Sequence, residues 1–185
     1  MRELSLHILD LAQNCVTAAA KNIYLTVNED EQGFFVITVA DDGRGMSEKL
    51  VRQVRDPFIT SRKTRKVGMG IPFMDMVAQQ CGGHVDIKSR LGQGTEIKAY
   101  FEKDNIDRPP LGDLAASMKV LLVGAPDIDV VLDYIRPPRS MHFATKEVRE
   151  ILGSTADFTN PAVYQWVEDY LRQEIARVQG KEDME

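Results

Sequence analysis

The sequence predicts a mixed α/β (α+β) chain, and three observations carry that prediction. Some segments repeat apolar residues at helical spacing and others alternate them; the two kinds interleave; and Gly-, Pro- and charge-rich stretches separate them. Residues 4–20 carry a helical stripe of Leu4, Ile8, Leu11 and Cys15, widened by Leu9, Ala12 and Val16. Residues 23–28 alternate with Ile23, Leu25 and Val27 on one face, and residues 34–40 follow a polar turn, so an antiparallel hairpin is predicted. Ser47 caps a short helix that presents Leu50, Val51 and Val54. Residues 56–70 lack periodicity and read as a long loop of the kind that is usually functional or disordered. Helical spacing returns through Phe73, Met74, Val77 and Ala78 and stops at Gly82-Gly83. Two further strands, 85–89 and 95–101, flank the turn Gly92-Gln93-Gly94.

Charges and the pair Pro109-Pro110 mark a boundary near residue 104, dividing the chain into residues 1–104 and 105–185. Beyond it, Leu111, Leu114, Ala115, Met118, Leu121 and Leu122 predict a helix that ends near Gly124. Residues 128–136 and 140–144 suggest a strand pair through Pro137-Pro138, and a helix begins at Thr145. Asn160-Pro161 opens the last helix, with an apolar face of Val163, Trp166, Val167, Tyr170, Leu171 and Ile175. Trp166 and Tyr170 are expected to bury against the first segment. The second segment thus reads as a mainly helical extension with a hairpin, of unassigned role.

Of the 185 residues, 43% are hydrophobic and 28% charged, as in soluble globular proteins. A net charge of −5 argues against a nucleic-acid partner. Cys15 and Cys81 lack any metal-binding spacing and read as reduced packing thiols. No apolar run reaches the ~20 residues of a membrane span, and the N-terminus lacks the pattern of a signal peptide, so a cytoplasmic location is expected.

Four pieces carry chemistry. Asp10 and Asn14 are four residues apart on the first helix and therefore stack on one face. There an amide oxygen can ligate a hard cation and a carboxylate can orient or deprotonate a water, although this piece alone reads more readily as a solvated helix face. Asp41-Asp42-Gly43-Arg44-Gly45-Met46 follows a strand; its glycines admit close approach of a ligand, and its aspartate can accept from an exocyclic amine. The loop from Pro57-Phe58 through Arg62, Lys63, Arg65 and Lys66 runs into Gly68-Met69-Gly70-Ile71, where a helix opens whose N-terminal amides attract phosphate. It is not a Walker A loop. Gly92-Gln93-Gly94-Thr95 makes a turn and offers a hydroxyl at a strand start.

In this order the pieces resemble the N, G1, F, G2 and G3 boxes of the GHKL (Bergerat-fold, histidine-kinase-like) ATPases. The resemblance covers roughly residues 4–102, and the chain also looks like small bacterial members such as the anti-sigma-factor serine kinases. It implies a two-layer sandwich with helices on one face of a mixed sheet, and ATP with Mg2+ as ligands. By the same resemblance Asn14 would ligate magnesium, while Asp41, supported by Thr95, would accept from the adenine amino group. Gly43 and Gly45 would pass close to the base, with Met46 packing beside it. Phe58 would anchor a lid; Gly68, Met69, Gly70 and Ile71 would cover the phosphates; and Arg65 and Lys66 would neutralise their charge. Asp10 stands where hydrolysing members hold a glutamate base.

The first box lies so close to residue 1 that no dimerisation helix with a phosphoacceptor histidine is expected ahead of it. His7, His84 and His142 read as structural, which argues against a self-phosphorylating sensor kinase. The expectation is a regulatory kinase or slow ATPase acting on a protein partner, with an ATP-gated interaction module as the alternative. Family habit leaves a homodimer open, although no coiled-coil heptads are present.

Overall fold

The computed structural model describes residues 3–54, 70–153 and 157–181. Six helices and six strands follow one another: α1 (Leu4–Thr17), β1 (Asn22–Glu29), β2 (Phe34–Asp41), α2 (Glu48–Gln53), α3 (Gly70–Gln80), β3 (His84–Arg90), β4 (Gly94–Glu102), α4 (Leu114–Gly124), β5 (Asp129–Arg136), β6 (Arg139–Ala144), α5 (Thr145–Leu152) and α6 (Pro161–Gln179). The strands form one mixed sheet in the order β3-β4-β2-β1-β5-β6. All neighbours are antiparallel except β1 and β5.

Register explains why one face is buried. Residues directly opposite each other share a face, so alternation within each strand becomes rows across the sheet. Val85, Ala99, Ile37, Val27, Tyr134 and Met141 make one row, and Ile87, Ile97, Val39, Leu25, Leu132 and Phe143 the next. Helices α1, α3, α4 and α6 supply the second layer over these rows, and the buried side chains form one continuous core. This is the two-layer α+β sandwich expected from the sequence.

The predicted hairpin in the second segment exists, and it is an extension of the same sheet. β5 lies parallel to β1 from Asn22↔Asp129 to Asn28↔Ile135, and β6 closes that edge. The backbone ahead of α4 also tends the start of α1. The Leu4 and Ser5 amides donate to Pro110 O (2.9 Å) and Leu111 O (2.8 Å), satisfying donors that the helix itself cannot. This pairing and Gly112, with φ +77, hold Leu111 outside the helix, so α4 begins at Leu114 behind the Asp113 cap.

α1 ends three residues before the predicted position. Ala20 N–H reaches back to Cys15 O and Ala19 N–H to Val16 O, a double closure with Ala19 in the left-handed region at φ 58. A side chain there is strained, and glycine would relieve it. Ala19→Gly is therefore expected to stabilise the fold by about 1 kcal/mol, read as a raised thermal midpoint. An unchanged or lowered midpoint would refute this.

The face of α6 differs from expectation. Val167, Leu171, Ile175 and Val178 point inward, whereas Trp166 and Tyr170 are 50% and 38% exposed and stack on each other with centroids 5.8 Å apart. One residue on a helix is a rotation of about 100°, which carries both aromatics off the buried stripe. α6 is tied to α4 instead by Glu168, only 8% exposed, which pairs with Lys119 and Arg172. The Lys119 hydrogen bond, with help from Arg172, holds the Glu168 carboxyl below its ordinary range. Such a group stabilises fully above its unfolded pKa of about 4.3 and loses that contribution as pH falls through its lower folded value. The midpoint difference between the wild type and Glu168→Gln should thus be large at neutral pH and shrink below about pH 4. A difference independent of pH would contradict it.

Candidate functional site

At one end of the buried face the apolar rows give way to polar residues. The row after Ile87, Ile97 and Val39 reads Ser89, Thr95, Asp41 and Ile23 across β3, β4, β2 and β1. Above it lies a cavity of about 350 Å3, at the lower end of the range for small-molecule sites. Leu11, Asn14 and Cys15 line it from α1 and Ala18 from just beyond its end, Asp41 and Thr95 from the sheet, and Met46, Leu50 and Ile71 from the other sides. The walls are mainly apolar and the polar groups few, an arrangement suited to a flat heterocycle held by one specific edge contact.

Asp41 and Asp42 are adjacent but have separate tasks. Asp42 turns outward and accepts from Lys21 N–H (2.7 Å), Asn22 N–H (2.9 Å) and Asn22 Nδ2 (2.7 Å), clamping the end of β2 to the start of β1. The Asn22 side chain, with these amides, draws the Asp42 carboxyl below its usual range. Asp41 faces the cavity, and its Oδ1 accepts from Gly43 N–H at 2.7 Å. Burial and the neighbouring Asp41 carboxylate push the Cys15 thiol far up, so this cysteine stays protonated.

The glycines are explained by backbone crossing backbone. The loop after Asp41 passes over the turn after Arg90, and Gly92 N–H donates to Arg44 O at 2.8 Å. A Cβ on Gly45 (φ +63) would overlap the Arg90 carbonyl, and one on Gly94 (φ +95) would overlap the Asp41 carbonyl. Both motifs therefore keep glycine for each other's sake as well as for a ligand.

On α1, Asp10 and Asn14 flank Gly70 at the start of α3. A Cβ at Gly70 would come 3.3 Å from Asp10 Cβ and 3.5 Å from Asn14 Nδ2. The absent side chain lets the start of α3 approach these two groups closely. Among the described residues no cluster of three or more His, Cys, Asp or Glu side chains could hold a metal. A magnesium ion held by one amide oxygen, phosphates and water fits this arrangement, since Mg2+ rarely needs a protein cage.

Of the residues singled out from the sequence, Asn14, Asp41, Gly45, Met46, Ile71 and Thr95 line one cavity. Gly43 sits beside it, against Ala18, and Gly70 lies between Asp10 and Asn14. Phe58, Arg65, Lys66, Gly68 and Met69 fall outside the described residues. Sequence reasoning missed Leu11, Cys15, Ala18, Arg44, Leu50 and Ile97 as lining residues. It also missed Ser89, whose signal was its phase with Val85 and Ile87 along β3.

The model of the family described as "Histidine kinase-, DNA gyrase B-, and HSP90-like ATPase" matches residues 2–105. The chain belongs to this family. The sensor histidine kinase ZraS of Klebsiella oxytoca is 30% identical over 96 residues, 51% of this chain and 21% of that protein. Sporulation kinase E of Bacillus subtilis (strain 168) is 30% identical over 74 residues, 40% of this chain and 10% of that one. The chain thus spans only a small part of these relatives' length. The solved ATPase domain of Aquifex aeolicus MutL, complexed with ADP, superposes with a TM-score of 0.52 at 13% identity, covering 82% of this chain and 69% of that one. At that identity the likeness shows the fold alone. The chain therefore carries a GHKL-type ATPase domain, and none of its described helices is long and apolar enough to cross a membrane.

Proposed function

We propose that this chain binds ATP with magnesium in the cavity above Asp41 and acts as a regulatory protein kinase or slow ATPase on a partner protein. One observation carries the reading: Asp41 and Thr95, paired across β2 and β4, form the polar floor of an apolar cavity whose opposite wall is Asn14 of α1. The base enters with its exocyclic amine towards Asp41 and lies between Met46 and the apolar wall. The phosphates run towards Asn14 and the amide end of α3 behind Gly70 and Ile71. The family resemblance assigns Arg65, Lys66, Gly68 and Met69 to the phosphates and Phe58 to a lid, and these residues lie outside the described ones.

Magnesium, when bound, supplies charge neutralisation on the phosphates, and the Asn14 side-chain oxygen is the ligand that this chain offers it. Asp10, one turn before Asn14, takes the proton of the attacking water or partner hydroxyl as its oxygen bonds to the γ-phosphorus. The bond to the bridging oxygen breaks and ADP leaves. The histidines favour an acceptor outside these residues. His7 is 1% exposed, with no hydrogen-bond partner among the described residues for either ring nitrogen and a pKa lowered mainly by burial. His84 stacks on Tyr100, and His142 is bonded to Asp133.

Calorimetric titration with ATP, with and without magnesium, tests the first half of the proposal. Binding that weakens without the metal is expected, and no heat under either condition would end the nucleotide reading. Incubation with γ-labelled ATP tests the second half. Asp10→Asn should abolish slow release of labelled phosphate while leaving ATP binding within about twofold, since the base acts on the nucleophile rather than on the bound nucleotide. Release that persists in this variant would remove Asp10 from the reaction.

A further inference from the structure

Ser89 does not line the cavity, yet its hydroxyl is the hub of the cavity floor. Its Oγ has three polar neighbours: Met46 N at 2.8 Å, Gly94 O at 3.0 Å and Thr95 Oγ1 at 2.8 Å. A serine hydroxyl owns one proton and two lone pairs. The Met46 amide can only donate, so it occupies a lone pair. The Gly94 carbonyl can only accept, so it takes the Ser89 proton. All three contacts are hydrogen bonds together only when Thr95 donates its own proton to the remaining lone pair of Ser89. Any other assignment forfeits a bond in a half-buried site, where an unmade bond is costly.

The Thr95 proton is thereby directed along the floor towards β3, and the lone pairs of its oxygen are left for the cavity. Beside it, Asp41 already spends Oδ1 on Gly43 N–H and offers acceptors only. We propose that Ser89 is a positioning residue that makes the cavity floor an acceptor-only surface by fixing the Thr95 proton, and so selects a 6-aminopurine nucleotide over a 6-oxopurine. The inference rests on the nucleotide reading above, with the exocyclic group of the base directed at Asp41. A 6-amino group brings hydrogens to oxygens that have none to give. A 6-oxo group brings a further acceptor against them, and acceptor against acceptor is a mismatch at this floor.

Removing Ser89 Oγ frees the Thr95 hydroxyl to turn and donate into the cavity. The test compares ATP with inosine triphosphate, which exchanges the 6-amino for a 6-oxo group, by calorimetry in the presence of magnesium. Wild type, Ser89→Ala and Ser89→Thr are measured, each after a cooperative melt has verified folding. The ATP preference should narrow by roughly three- to tenfold in Ser89→Ala, the worth of one neutral hydrogen bond, and persist in Ser89→Thr, which keeps the hydroxyl. If Ser89→Ala does not melt cooperatively, Ser89→Cys is read in its place, since sulfur is a poor acceptor. Equal loss of both nucleotides, an unchanged ratio, or a wild type without preference would overturn the proposal. A wild type that binds neither nucleotide would overturn the nucleotide reading itself, whereas ATP binding with an unchanged ratio in the variants overturns only the role of Ser89.

Discussion

Asp41→Asn is expected to weaken ATP binding by at least about 100-fold while leaving the thermal midpoint nearly unchanged. The substitution keeps one oxygen, which can go on accepting from Gly43 N–H as Oδ1 does now. The other acceptor becomes an amide NH2 group. In the cavity it would point hydrogens at the hydrogens of the exocyclic amine, so an ionic hydrogen bond worth about 1.5–3 kcal/mol is replaced by a clash of donors. The β2–β4 ladder does not involve the side chain, and the register Asp41↔Thr95 survives. Calorimetry reads the affinity and a thermal melt reads the fold. A variant that binds ATP within about threefold of wild type would remove Asp41 from base recognition. Asp42→Asn is a useful contrast, because its carboxylate clamps β1 to β2 outside the cavity and its loss should register in stability before affinity.

The helices and strands of residues 1–104 were legible because each strand has one buried and one open face, which writes period two into the sequence. The pocket was legible through its glycines. Gly45 and Gly94 are where two loops cross, and no other residue tolerates that crossing. Ser89 was not legible as a motif, since a serine at the end of an alternating strand looks like any solvated position. Its phase with Val85 and Ile87 hinted at the buried face, and the register with Thr95 shows that it continues a buried row. The pairing of β5 with β1 was illegible for a different reason. Alternation predicts that a strand exists and which face it buries, but not which neighbour it finds across a gap of a hundred residues. The error at Trp166 and Tyr170 came from an apolar stripe drawn too wide. Val167, Leu171, Ile175 and Val178 already fill the inward face of α6.

Truncation after residue 104 should therefore leave a fragment without a cooperative melt, although the family match ends at residue 105. The cut would strip β5 from β1 along the whole register Asn22↔Asp129 to Asn28↔Ile135, leaving a central strand as an edge. It would remove the Pro110 and Leu111 carbonyls from the first amides of α1, and the cover of α4 from the helix that carries Asp10 and Asn14. Glu29, with its side chain 11% exposed, would lose the Tyr134 hydroxyl and the Arg136 guanidinium and keep Lys103. Leu4, Ile8, Leu25 and Val27 are each at most 2% exposed in one core shared with Leu114, Met118, Leu132 and Tyr134. Each buried aliphatic contributes about 1.5–3 kcal/mol, so uncovering several of them is comparable to the 5–15 kcal/mol by which whole domains are stable. Circular dichroism melts of residues 1–104 and of the full chain decide the matter. A fragment that melts cooperatively within about 5 °C of the full chain would make residues 105–185 an appended module. Loss of the cooperative transition would make them part of the folding unit that builds the pocket, and would place any partner that grips α6 or the β5–β6 edge in mechanical contact with α1.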